Sequence, residues 1–329
     1  MNDISNFRRH IYRQRRKSQP VLPKSIEEAV QQLAVRQTEI QTFKLERFVF
    51  VHEDNSIVAI TCKTNLQYLC TSLPLYADGT FNYCRKYFYQ MYTIHAYKNN
   101  MYLPLVYFLL NGKSTECYIK MWYFLNELCG SFNLSFKPDL IRTDFEISAH
   151  IAIKINAKYS VVNFILANLV SDAFYELIEI SPSENAFEFS DYVLKNYIEE
   201  NCLFPPEIWA EAPSTIPKTT NGPESFHRHY NEQFYSAHPS LWKVIEVLKE
   251  IQVETNIKMN EESTRLRTKE IKNIEFVNEH YFKYTSGEIN RQQFLSIMGH
   301  SGANYNFIKV NNPYLTIAMR KRPTKKMYA

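Results

Sequence analysis

Three apolar segments of strand length follow one another with almost no chain between them. They are Leu73 to Asn82, Tyr87 to Tyr97 and Tyr102 to Asn111, joined by short polar turns. Connections that short allow only antiparallel neighbours, so the three segments predict a meander. The pattern then changes to helix (about Thr115 to Cys129), short strand (Asp139 to Thr143), helix (about Ile147 to Ala157) and apolar strand (Tyr159 to Leu166). Strands separated by helices return parallel. The chain is therefore predicted to be α/β, built on one mixed sheet.

Further elements flank this run. Ahead of it, Pro20 and Pro23 break the chain, and Ser25-Ile26-Glu27-Glu28 reads as a capping box opening a helix from about 26 to 37. Residues 46 to 62 predict two short strands around a turn at Glu53-Asp54-Asn55. Behind it, residues 167 to 201 read as helices, Pro205-Pro206 to Pro217 as a connector, and residues 222 to 280 as strongly helical. Leu241, Val244, Ile245, Leu248 and Ile251 form one apolar stripe, the pattern of core packing or of contact with a second copy of the chain. Meander, helix, strand, helix, strand is the order of a ribonuclease-H-like core with flanking helices and a helical C-terminal extension. The expected division is a basic arm at 1–24, a helix and strands at 25–71, the core at 72–235 with a helical insertion at about 167–215, a helical region at 236–319 and a basic tail at 320–329.

Composition narrows the function. Hydrophobic residues make up 45% and charged residues 22%, which excludes a disordered or fibrous chain. The longest nearly apolar run, Met101 to Leu110, is about half of the roughly 20 residues that a membrane-spanning helix needs. The first residues are charged (Asp3, Arg8, Arg9), unlike a secretory signal, so a soluble intracellular protein is expected. Only 7 glycines occur and neither G-x-G-x-x-G nor G-x-x-x-x-G-K-[ST] is present, which sets aside nucleotide cofactors. The six cysteines lack C-x-x-C spacing, so zinc is not expected and the thiols are expected to be buried and reduced. Charge gathers at the ends. Arg8, Arg9, Arg13, Arg15, Arg16 and Lys17 form one unopposed cluster; Arg320, Lys321, Arg322, Lys325 and Lys326 form another. Together they hold 11 of the 38 basic residues, and the remaining 27 face 34 acids, so the body is mildly acidic. Basic ends on such a body suit phosphate contacts with DNA and nuclear import.

The chemistry could sit on acids at strand ends. Asp78, in Leu75-Tyr76-Ala77-Asp78-Gly79-Thr80, and Asp144, in Ile141-Arg142-Thr143-Asp144, each close an apolar strand. If the first and fourth strands are neighbours, the two carboxylates lie side by side, an arrangement that makes sense around shared Mg²⁺ or Mn²⁺. Glu224, in the first turn of a helix opened by Asn221-Gly222-Pro223, is the candidate third acid, with Glu146 competing. Each acid also has an ordinary reading as a turn or helix-start residue. Of the histidines, His95 reads as a core or edge residue, His150 lies on the helix after Asp144, and His227 and His229 face DNA or solvent.

The stretches LYADGTFNYCRKYFYQMYTIHAYKNNMYLPLVYFLLNGKSTECYIKMWYFL, KPDLIRTDFEISAHIAI and PPEIWAEAPSTIPKTTNGPESFHRHYNEQFYSAHPSLWKVIEVLKEIQ resemble the core of the Mutator-like element (MULE) transposases. The lead-in FRRHIYRQRRKSQPVLPKSIEEA is similar to that of animal copies, and the resemblance covers most of residues 6 to 255. It implies a DDE-type transposase that cuts and joins DNA ends with two divalent metals. Asp78 matches the first acid of the family's triad, Asp144 the second and Glu224 the third. Two departures stand out. VVNFILANLVSDAF has neither residue of the family's C-x-x-H-like motif, which reads as an internal deletion, and the upstream FLYWCH-type zinc finger is missing. The expected function is metal-dependent DNA strand cleavage and transfer. The alternative is a catalytically inactive, domesticated or decayed transposase that binds nucleic acid or a protein. The partners expected are DNA and a homo-oligomer formed through the 241–251 stripe.

Overall fold

The meander forms because its turns and its one proline fit it. In the computed structural model, residues 20–72, 74–81, 87–156, 167–179, 185–210, 216–217, 220–235, 239–262, 266 and 268–300 are described. Their six strands are β1 (Val49–Val51), β2 (Ile57–Ile60), β3 (Leu75–Thr80), β4 (Gln90–Lys98), β5 (Met101–Leu110) and β6 (Ile141–Thr143), in the sheet order β1-β2-β5-β4-β3-β6. Lys98 pairs with Met101 across Asn99-Asn100, whose φ angles of 54° and 63° are those of a type I′ hairpin turn. Only β3 and β6 pair in parallel; the other four ladders are antiparallel. The six strands make a mixed α/β sheet, as the patterning predicts. The expected strand at Tyr159 to Leu166 and both basic ends lie outside the described residues.

Pro104 cannot donate to a ladder, and it sits where the β4–β5 register slips between Ile94 and His95. The bulge puts Leu105 and Val106 on the same face, so that Leu103 and Phe108 can share one core. The Leu105 carbonyl instead accepts from Thr61 Oγ1 and Asn65 Nδ2, both at 2.8 Å. Asn65 also exchanges two hydrogen bonds with Gln252, of 2.6 and 2.7 Å, so three elements meet at one buried carbonyl.

Helices cover both faces. One face carries Leu75, Ala77, Tyr92, Ile94, Phe108 and Leu110 beneath α2 (Lys63–Thr71), α3 (Thr115–Ser131) and α4 (Ile147–Asn156). Val58, Ile60, Met91, Tyr107 and Leu109 line the other, beneath α1 (Ile26–Arg36), α7 (Asn221–Glu232) and α8 (Leu241–Asn260). Ser25 caps α1 by accepting from the Glu28 amide at 3.2 Å, and Glu28 reaches back to the Lys24 amide at 2.8 Å. The α8 stripe is spent here: Leu241, Val244, Ile245, Leu248 and Ile251 are all buried against the sheet. The stripe is therefore core packing, and a contact with a second copy cannot use these side chains. The five described cysteines are free thiols, and burial pushes Cys62 up to about 12.

The chain divides into two units, Met1–Tyr159 with Thr220–Thr264, and Ser160–Thr219 with Arg265–Ala329. This differs from the sequence division, because α8 joins the sheet and only the later helices join the insertion. The second unit contains α5 (Ala167–Glu179), α6 (Asn185–Val193) extended by a π-helical turn (Leu194–Ile198), α9 (Thr268–Thr285) and α10 (Arg291–His300). Phe174, Val193 and Ile198 form its core, and Arg291 joins α10 to α5 through Asp172 at 3.4 Å and Glu176 at 3.2 Å. Because Leu248 is fully buried and Ile257, on the same helix, is 56% exposed, Leu248→Ala should cost about 2–5 kcal/mol and Ile257→Ala less than about 0.5. Urea denaturation of the two variants checks this, and equal losses would contradict the placement of α8.

Candidate active site beside two parallel strands

The parallel ladder aligns Leu75 with Ile141, Tyr76 with Arg142 and Ala77 with Thr143. Continued by one step, that register matches Asp78 with Asp144; Asp78 lies inside β3, two residues before its end, rather than closing the strand as expected. Asp78 is buried, and one of its oxygens accepts from the Gly79 amide at 2.8 Å. Its other oxygen, Oδ2, lies 3.1 Å from His227 Nδ1. Asp144 follows β6 directly, in a turn fixed by its own carbonyl, which accepts from the Glu146 amide at 2.7 Å and His150 Nε2 at 3.0 Å. Its carboxylate accepts from Thr220 Oγ1 at 2.5 Å. Burial lowers the pKa of His150, which suits a ring held as a neutral donor.

One helix thus touches both aspartates. Thr220 is the N-cap residue of α7, and its hydroxyl serves Asp144 rather than capping its own helix. Glu224 follows one turn later and His227 one turn after that, an i, i+4, i+7 stripe. Glu224 therefore stands on the stripe between the two contact residues, with its side chain exposed, at the positive end of the helix dipole. Aromatic packing fixes the helix: Phe226 meets His95 at 5.1 Å and Tyr107 at 5.8 Å between ring centres, and stacks on Tyr230 at 6.1 Å. At its start, Gly222 lies flat against Tyr102, where a Cβ would fall 2.3 Å from the ring.

Glu146 goes elsewhere. Its carboxylate accepts from Tyr118 Oη at 3.0 Å, on a residue of α3 beneath the opposite face. Electrostatically the acids are still close. Burial, above all, pushes the Tyr92 phenol up, and the carboxylates of Asp78, Glu146 and Asp144 push it further. Among the described residues, no group of three or more His, Cys, Asp or Glu side chains is gathered to hold a metal ion. The register brings Asp78 and Asp144 together, Glu224 lies on the helical stripe of their contact residues, and the basic clusters Arg8–Lys17 and Arg320–Lys326 lie outside the described residues.

No family model, curated protein or solved structure matches the chain. None of its described helices is long and apolar enough to cross a membrane. Site chemistry therefore has to be read from the residues themselves. His95 is buried in β4, in keeping with its sequence reading, and His229 is exposed. His227 is the correction: expected to face DNA or solvent, it is buried against Asp78. The signal was present, since Pro223, His227 and Tyr230 share the buried face of α7 at helical spacing. Thr93, which contacts His227, carried no comparable signal. Because Gly222 leaves no room for a side chain, Gly222→Ala should destabilise the protein by about 1–3 kcal/mol. In a double-mutant cycle it should cost clearly less on a Tyr102→Ala background, and additive losses would contradict the contact.

Proposed function

We propose that this chain is a MULE-type, transposase-derived protein with a ribonuclease-H-like core, whose activity is metal-dependent cleavage and transfer of DNA strands. One observation carries the reading: the parallel β3–β6 register matches Asp78 with Asp144 just past its last pair, and a single helix bearing Glu224, with its N-cap Thr220, contacts both. Two like charges side by side repel, and a divalent cation between them relieves the repulsion. Carboxylate oxygens are hard donors that suit Mg²⁺ or Mn²⁺, so the donor chemistry fits these ions. Asp78 and Asp144 would hold them, with Glu224 supplying the third acid from the first turn of α7. The chemistry such ions supply is activation of the attacking oxygen and stabilisation of the leaving one. The chain's own groups do the rest. The Gly79 amide and His227 fix the Asp78 carboxylate, and Thr220 fixes that of Asp144. In this reading the basic residues Arg8, Arg9, Arg13, Arg15, Arg16 and Lys17, with Arg320, Lys321 and Arg322, contact DNA phosphates, and the protein works in the nucleus.

A second reading, a catalytically inactive descendant that binds nucleic acid or a protein, has one observation in its favour. Both aspartates already have partners within the chain, His227 and Thr220.

Calorimetric titration of Mn²⁺ separates the two. The active reading expects binding by the wild type and its loss in Asp78→Asn and Asp144→Asn, followed by metal-dependent nicking of supercoiled DNA that both variants lack. Nicking that survives either substitution would sink the assignment. No Mn²⁺ binding, with or without DNA, would leave the inactive reading. Wherever the chain binds nucleic acid, active or not, duplex binding should weaken at least about tenfold between 50 and 200 mM salt, and a flat salt response would remove the role of the basic ends.

A further inference from the structure

Behind Asp78, away from the strand ends, runs a line of buried polar side chains. His227 Nδ1 meets Asp78 Oδ2 at 3.1 Å, His227 Nε2 meets Thr93 Oγ1 at 2.9 Å, and Thr93 Oγ1 meets His95 Nε2 at 2.9 Å. Thr93 and His95 are completely buried and His227 is nearly so. Two imidazoles and a hydroxyl are costly in an apolar interior unless they bond to one another, so their alignment needs an explanation beyond packing.

The protons on this line can be placed. Burial holds His95 well below the usual histidine range, so its ring is neutral and has one N–H. His95 Nδ1 has no hydrogen-bond partner, and an orphaned buried donor is rarer than an orphaned acceptor. The proton therefore belongs on Nε2, where it donates to Thr93 Oγ1. The single Thr93 proton then points to His227 Nε2 at 2.9 Å, in preference to the longer 3.2 Å contact with the Asp78 backbone carbonyl. With Nε2 accepting, the His227 proton lies on Nδ1 and donates to Asp78 Oδ2. The Gly79 amide holds the other oxygen. Each oxygen thus has its own donor, one from α7 and one from the next residue of β3, which holds the carboxylate's last torsion.

We propose that His227 is a positioning residue for Asp78, its tautomer set at a distance by Thr93 and His95, and that this relay orients the Asp78 carboxylate to receive a divalent cation. The inference rests on the cation-binding reading of Asp78 and Asp144. Hydrogen bonds to a ligating carboxylate commonly change metal affinity by about 10- to 100-fold.

Thr93 tests the relay without touching the acids. Thr93→Val keeps the shape and removes the hydroxyl, and it should weaken Mn²⁺ binding about tenfold by calorimetry. Thr93→Ser restores the hydroxyl and should bind within about threefold of the wild type. Thermal melts of both variants report whether the fold survives. On the wild type itself, imidazole ¹⁵N chemical shifts should show Nδ1–H for His227 and Nε2–H for His95, which keeps the relay testable if Thr93→Val does not fold. Reversed tautomers overturn the proposal. So does a folded Thr93→Val that binds Mn²⁺ as tightly as the wild type while Asp78→Asn does not bind. A wild type that binds no Mn²⁺ overturns the cation reading beneath it, with the ¹⁵N shifts still deciding whether the relay is ordered.

Discussion

The short parallel ladder between β3 and β6 is the constraint on which the site depends. Three aligned pairs bring together two stretches of chain that the meander and α3 separate, and the Leu75 amide extends the ladder by donating to the Leu140 carbonyl at 3.0 Å. Strand side chains alternate, so a slip of one residue would send Asp144 to the face that holds Ala77 and Thr143. The Tyr92 hydroxyl, 3.3 Å from Thr143 Oγ1, marks the correct setting from the other side of the sheet. With the register fixed, α7 can touch both aspartates, and Thr220, Glu224 and His227 fall on one helical stripe.

A second constraint is internal to the meander. Pro104 would cost β5 a hydrogen bond wherever it stood, and the bulge beside it turns that loss into a junction. The Leu105 carbonyl, released from the regular pattern, gathers Thr61, Asn65 and, through Asn65, Gln252 of α8. A buried polar contact of this kind adds little net stability, but it permits only one alignment of α8 on the sheet. The helix that closes the second face is thereby set by hydrogen bonds as well as by its apolar stripe.

Much of the architecture was legible because it rests on local pattern. The short turn between β4 and β5 and the Ser25 cap each follow from a few neighbouring residues, and both appear where the pattern predicts. Asp144 was legible for the same reason, as an acid closing a strand, and Asp78 as an acid in an apolar one, although β3 runs two residues past it. The partners of those acids were not. His227 contacts Asp78 only because α7 packs across the sheet, a long-range fact that a stripe of Pro223, His227 and Tyr230 hints at but does not locate. Glu146 looked equivalent to Glu224 in the sequence, and the tie to Tyr118 that separates them comes from a helix on the opposite face. The α8 stripe carried the complementary ambiguity, since periodicity identifies an apolar face without saying what covers it.

The unit that contains the sheet is discontinuous: its chain leaves at Tyr159 and returns at Thr220. That gap has a consequence in time. As the chain emerges from the ribosome, β1 to β6 and the helices of the first face are complete before α7 and α8 exist, because the whole of Ser160–Thr219 is made in between. Domains fold largely as their segments become available. Through that interval Val58, Ile60, Met91, Tyr107 and Leu109 have only α1 to cover them, and the part of the face that α7 and α8 will close stays open to wrong partners. The first residues to return, beginning with Thr220, are those that reach the two aspartates, so the same arrival that shields the face also completes the acidic edge.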